Sequence, residues 1–78
     1  MRKIEIVVIE AGRDYMNRLE NFTMELPEDK AQAVAEAIKA VEAEGYSVIP
    51  DNKGGCTEYV SATDSQDYIA VTVVPSAK

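Results

Sequence analysis

The residues with the most chemical promise sit together in "PDNKGGC", residues 50–56, which holds a lysine, two adjacent glycines and the chain's only cysteine. Glycines beside a lysine can cradle a phosphate, because bare backbone amides approach its oxygens and the ammonium neutralises them. That geometry needs the lysine after the glycines, then a hydroxyl residue and a helix. Here Lys53 precedes Gly54 and Gly55, and a β-prone run follows. The dinucleotide fingerprint G-x-G-x-x-G is absent as well. A thiol attacks only as a thiolate, which a histidine or clustered cations must stabilise. The chain has no histidine, and Lys53 is the only base near Cys56. The stretch therefore reads as a turn between strands, and Cys56 as an inert thiol.

Absence of histidine also removes the usual general base and leaves a zinc site almost without ligands. Carboxylate pairs could still do acid–base work, and Glu28–Asp29, Glu42–Glu44 and Asp64–Asp67 are the nearest in sequence. Each has a structural explanation, as a helix start, a helix flank and a turn. The spacing in "DSQD" lacks the further acids and closing glutamate of a calcium loop. No catalytic residue, metal or cofactor is expected, and the chain reads as a non-enzyme.

The elements that carry these residues can be read from periodicity. "KIEIVVIE" (3–10) is a strand with Ile4, Ile6 and Val8 on one face and Glu5, Val7 and Ile9 on the other. Apolar residues on both faces predict a central or doubly covered strand. After a loop at 11–17, "LENFTMEL" (19–26) alternates, with Phe22, Met24 and Leu26 inward, and pairs with the first strand as an antiparallel hairpin. The alanine-rich segment 27–45 predicts a helix, with Pro27 at its first position, Glu28 and Asp29 at its positive end and Gly45 as terminator. Ala31, Val34, Ile38 and Val41 form the expected apolar stripe. Three more strands are expected at 46–50, 56–62 and 68–74. The sum is one α+β domain over 1–78, an antiparallel-dominated sheet of about five strands (β-β-α-β-β-β) with an amphipathic helix on one face.

Of the 78 residues, 46% are hydrophobic and 28% charged, ordinary globular values, and one cysteine cannot form an internal disulfide. No apolar run is long enough to span a membrane, so a cytoplasmic protein is expected. The net charge of −6 opposes direct contact with nucleic acid or anionic lipid. Residues 1–18 hold four bases and three acids, whereas residues 19–78 hold four bases and eleven acids. The acidity thus belongs to everything after the first hairpin arm.

Two surfaces follow from this reading. An acidic one would gather Glu28, Asp29, Glu36, Glu42, Glu44, Asp51, Glu58, Asp64 and Asp67 into a docking face for a basic protein. An apolar one arises because a single helix, ~10–12 Å wide, covers only half of a five-stranded sheet. It would expose Val7, Ile9, Tyr59, Tyr68 and Val74 for a homodimer or other partner. Size, acidity, absence of catalytic residues and an idiosyncratic α+β layout resemble the small inhibitors that phages carry against bacterial defence, particularly anti-CRISPR proteins. The likeness is one of class across the whole chain and transfers no residue role. It implies a non-enzymatic protein that blocks a basic nucleic-acid-binding protein or complex by partial DNA mimicry, in the cytoplasm of the host if phage-encoded. The alternative is a small dimeric regulatory or assembly module, antitoxin-like, that uses the apolar sheet face.

Overall fold

A computed structural model describes residues 1–12, 16–61 and 66–74. In chain order the elements are β1 (Arg2–Ala11), β2 (Met16–Leu26), α1 (Lys30–Ala43), a 3-10 turn (Asp51–Lys53), β3 (Glu58–Val60) and β4 (Tyr68–Val73). The sheet order is β2-β1-β4-β3. The two flanking pairs are antiparallel and the central β1–β4 pair is parallel. This is a mixed four-stranded sheet, in place of the five-stranded, antiparallel-dominated one expected. Segment 46–50, read as a strand, makes a single bridge from Val48 to Val73. Pro50 lacks an N–H with which to extend the ladder, and the chain turns at once into the 3-10 segment.

The expected hairpin is present and longer than its alternation suggested, because pairing continues to Ala11 opposite Met16. A bulge interrupts it. Val8 faces Glu20 and Ile9 faces Arg18, which leaves Leu19 as the extra, exposed residue. Beyond the bulge the side-chain parity of β2 is reset, so Arg18 shares the open face with Ile9 while Glu20 stays on the helix side with Val8.

The core lies between the sheet and α1. Ile4, Ile6, Val8, Leu26, Ile69, Val71 and Val73 from the sheet are fully buried, as are Ala33, Ala37 and Val41 from the helix. The expected stripe is therefore rotated: Val34 and Ile38 flank the contact half-buried, and Ala31 is exposed. The sheet face is built from branched Ile and Val, so close approach requires small residues on the helix, and Ala33 and Ala37 supply them. The start of the helix is also corrected. Asp29 is the N-cap, its Oδ1 accepting from the N–H groups of Ala31 (2.9 Å) and Gln32 (3.2 Å). Pro27 and Glu28 precede the helix rather than begin it. Gly45, at φ 101°, ends it as expected, its N–H donating to the Glu42 carbonyl. No helix among the described residues is long and apolar enough to cross a membrane.

Candidate functional site

The "PDNKGGC" segment is a turn. Gly54 lies in the left-handed region at φ 92° and closes the 3-10 turn, its N–H donating to the Asp51 carbonyl at 3.1 Å. Gly55 is held for a different reason: a Cβ there would lie 2.0 Å from the Ile49 carbonyl oxygen. Its N–H donates to the Pro50 carbonyl at 2.9 Å, which folds residues 50–55 tightly back on themselves. These amides are spent on the turn and form no open cradle. Cys56 is exposed, and its backbone N–H donates to Thr72 Oγ1 at 3.0 Å. Among the described residues no group of three or more His, Cys, Asp or Glu could hold a metal ion.

The acidic residues do not form one continuous face. Asp29 is spent on the helix cap. Glu28 lies 3.8 Å from the N-terminal ammonium, both groups being exposed. Asp67 is largely buried and ion-pairs with Arg2 at 3.1 Å. Glu58 pairs in register with Ala70 and so belongs to the open sheet face, across the sheet from α1. Asp64 lies outside the described residues.

What remains are Glu36 and a set of acids at the C-terminal end of α1 and just beyond it. Glu36 is exposed in the middle of the helix, and Glu42 and Glu44 close its last turn. Asp51 approaches Glu42 because segment 48–51 folds back beside the helix, so that both line one cleft. None of these four has an ion-pair partner among the described residues. The last turn carries no base, and the negative end of the helix dipole adds to the charges of Glu42 and Glu44 instead of offsetting them. Glu20, absent from the expected set, joins this end through the Tyr46 hydroxyl, which donates to its carboxylate. That hydrogen bond, then burial, then the negative charges of Glu20 and Glu44 raise the Tyr46 pKa above its ordinary value. Glu20 continues the alternation of Phe22, Met24 and Leu26 and so shares their face of the sheet, a parity legible in the sequence; the bulge resets only the residues before it.

The cleft at this end measures about 250 Å³. Its walls are Val34 and Ile38 of the helix and Val48, Ile49 and Pro50 of the returning segment. Thr57 also lines it, and the buried Thr57 Oγ1 has no hydrogen-bond partner among the described residues.

The open sheet face differs from the expected apolar patch. Tyr59 is not on it: register with Ile69 turns its side chain to the helix side, where it packs against the core. Its hydroxyl donates to Asp67 Oδ2 at 2.7 Å and accepts from Arg2 at 3.1 Å, and Lys30 Nζ sits 5.2 Å from the ring centroid. The bond to Asp67 and burial raise the Tyr59 pKa, with Arg2 opposing. Val74 is exposed just beyond β4. Val7, Ile9 and Tyr68 do share the open face, where they line a shallow groove of about 520 Å³ with Arg18, Glu5 and Glu58 at its polar margins. Its floor is already largely covered, since Val7 is 7% and Ala70 9% exposed.

No family model, curated protein or solved structure matches this chain.

Proposed function

We propose that this chain is a non-enzymatic interaction protein that uses the acidic C-terminal half of α1 to bind a basic, nucleic-acid-binding protein and compete with its nucleic acid. The observation that carries this reading is the unpaired set Glu42, Glu44 and Asp51 at the negative end of a helix whose last turn has no base, with exposed Glu36 unpaired at mid-helix. Acids at a helix C-terminus each cost ~0.3–1 kcal/mol. A surface that accepts this cost, and leaves the charges uncompensated, is suited to a cationic partner. The competition would be partial. The 14 residues of α1 span ~21 Å, over which a duplex carries ~12 charges. The helix side offers less than half of that, consistent with the class of small phage inhibitors that the whole chain resembles.

The test is capture from a nuclease-treated bacterial lysate, washed in rising salt, with the wild type beside Glu36→Lys/Glu42→Lys/Glu44→Lys. Asp29 is left intact because its loss would uncap the helix. Basic nucleic-acid-handling proteins should be retained by the wild type, released at moderate salt, and lost with the triple variant. Equal capture by the triple variant would refute the reading.

The groove on the open face favours a second reading, a dimeric regulatory or assembly module, because Ile9 and Tyr68 keep apolar surface exposed there beside Met16. That reading expects a dimer that survives high salt and dissociates in Tyr68→Asp. A mass unchanged between the two proteins, measured by light scattering, would count against it.

A further inference from the structure

We propose that the cleft between α1 and segment 48–51 seats one basic side chain, lysine or arginine, of the protein partner. This rests on the acidic-surface reading and assigns its anchor point. Three features of different kinds converge there. The walls are aliphatic (Val34, Ile38, Val48 and Pro50), whereas Glu42 and Asp51, both exposed and unpaired among the described residues, stand on the same cleft. Thr57 lines the same cleft, and its buried hydroxyl has no hydrogen-bond partner among the described residues.

This combination matches one chemistry. A long basic side chain lays its methylene stem on apolar surface and keeps its charged head at the polar edge. Two carboxylates then meet the head. A purely apolar side chain would leave both carboxylates unanswered, and an acidic one would be repelled. At about 250 Å³ the cleft is smaller than the usual range for a whole small-molecule ligand, and suits a single side chain.

The test uses the full chain, ¹⁵N-labelled, titrated at low salt with Nα-acetyl-arginine N-methylamide and with its neutral citrulline counterpart. The arginine probe should give saturable shifts at the amides of Ile38, Glu42, Ile49, Asp51 and Thr57, with a dissociation constant in the millimolar range. The citrulline probe should bind at least about tenfold more weakly, and Glu42→Gln/Asp51→Asn should weaken arginine binding by about tenfold. Both substitutions are isosteric and lie at exposed positions, and an unchanged amide spectrum elsewhere will verify the fold. Equal binding of the two probes, shifts centred on another surface, or full retention by the double variant would each overturn the anchor. The two readings fail separately. If the arginine probe does not bind while lysate capture is lost in the triple charge reversal, the anchor falls and the acidic surface stands. If the probe binds in the cleft while capture is unaffected by the reversal, the acidic-surface function falls.

Discussion

Replacement of Tyr59 by phenylalanine tests both the face on which this residue lies and the value of the polar group that it organises. The hydroxyl donates to Asp67 at 2.7 Å and accepts from Arg2 at 3.1 Å, tying β3 to the entry of β4 and the start of β1. Hydrogen bonds to charged groups contribute ~1.5–3 kcal/mol each. Here the Arg2 side chain is 45% exposed and the Arg2–Asp67 pair survives the substitution, so solvent screening lowers the expected loss to ~1–2 kcal/mol. For 78 residues, an unfolding entropy of ~2.1 cal/mol/K per residue makes 1 kcal/mol equivalent to about 6 °C. Tyr59→Phe should therefore lower the Tm by about 6–12 °C. In urea it should reduce the midpoint at unchanged m-value. In an Asp67→Asn background the effect should shrink by about 0.5 kcal/mol or more, because the two groups are coupled. Were Tyr59 on the open face, the hydroxyl would be silent. A loss below about 0.3 kcal/mol, or full additivity with Asp67→Asn, would refute the placement.

Ala37→Leu should cost about 1–3 kcal/mol by overpacking the buried contact of α1 with the sheet, while Ala31→Leu, at an exposed position, should change stability by less than about 0.5 kcal/mol. Equal effects in urea melts would mean that the helix is rotated otherwise. Gly55→Ala should destabilise by about 2 kcal/mol or more, because its Cβ would meet the Ile49 carbonyl at 2.0 Å. A thermal melt unchanged by this substitution would exclude the tight turn. Above pH 10 stability should fall. The hydrogen bonds to Glu20 and Asp67 hold the folded-state pKa values of Tyr46 and Tyr59 above the ordinary 10.0, so the unfolded chain loses those protons first. The stabilisation is fully present below pH 10 and is lost as pH rises through the folded values. Urea midpoints between pH 8 and 11.5 should flatten in Tyr46→Phe/Tyr59→Phe, and a slope identical to the wild type would contradict this linkage.

Much of what depended on neighbours in the chain was legible in the sequence, although the helix begins at Lys30 and not at Pro27, and segment 46–50 makes one bridge in place of a strand. Alternation over residues 3–10, apolar on both faces, marks β1 as a central strand, and it lies between β2 and β4. Alternation in 19–26 correctly turns Phe22, Met24 and Leu26 toward the core. Alanine content and Gly45 set the existence and end of α1, and the order of Lys53, Gly54 and Gly55 was enough to read a turn. Tertiary structure decided the remainder, because each remaining question concerned residues distant in sequence. Alternation separates the two faces of a strand but does not say which face meets the helix. For the three residues of β3 only register with β4 could place Tyr59 beside Ile69. The helix has apolar residues around a broad arc, and the bulk of the opposing Ile and Val residues selected the alanine edge. The acids were countable from the sequence, but their availability was not. Asp29 is used by a cap, Asp67 by an arginine from the other end of the chain, and Glu58 by the opposite face of the sheet. Asp51 comes beside Glu42 only because Gly55 lets the chain fold back against α1. A side chain's identity is local, whereas the company it keeps is set by packing.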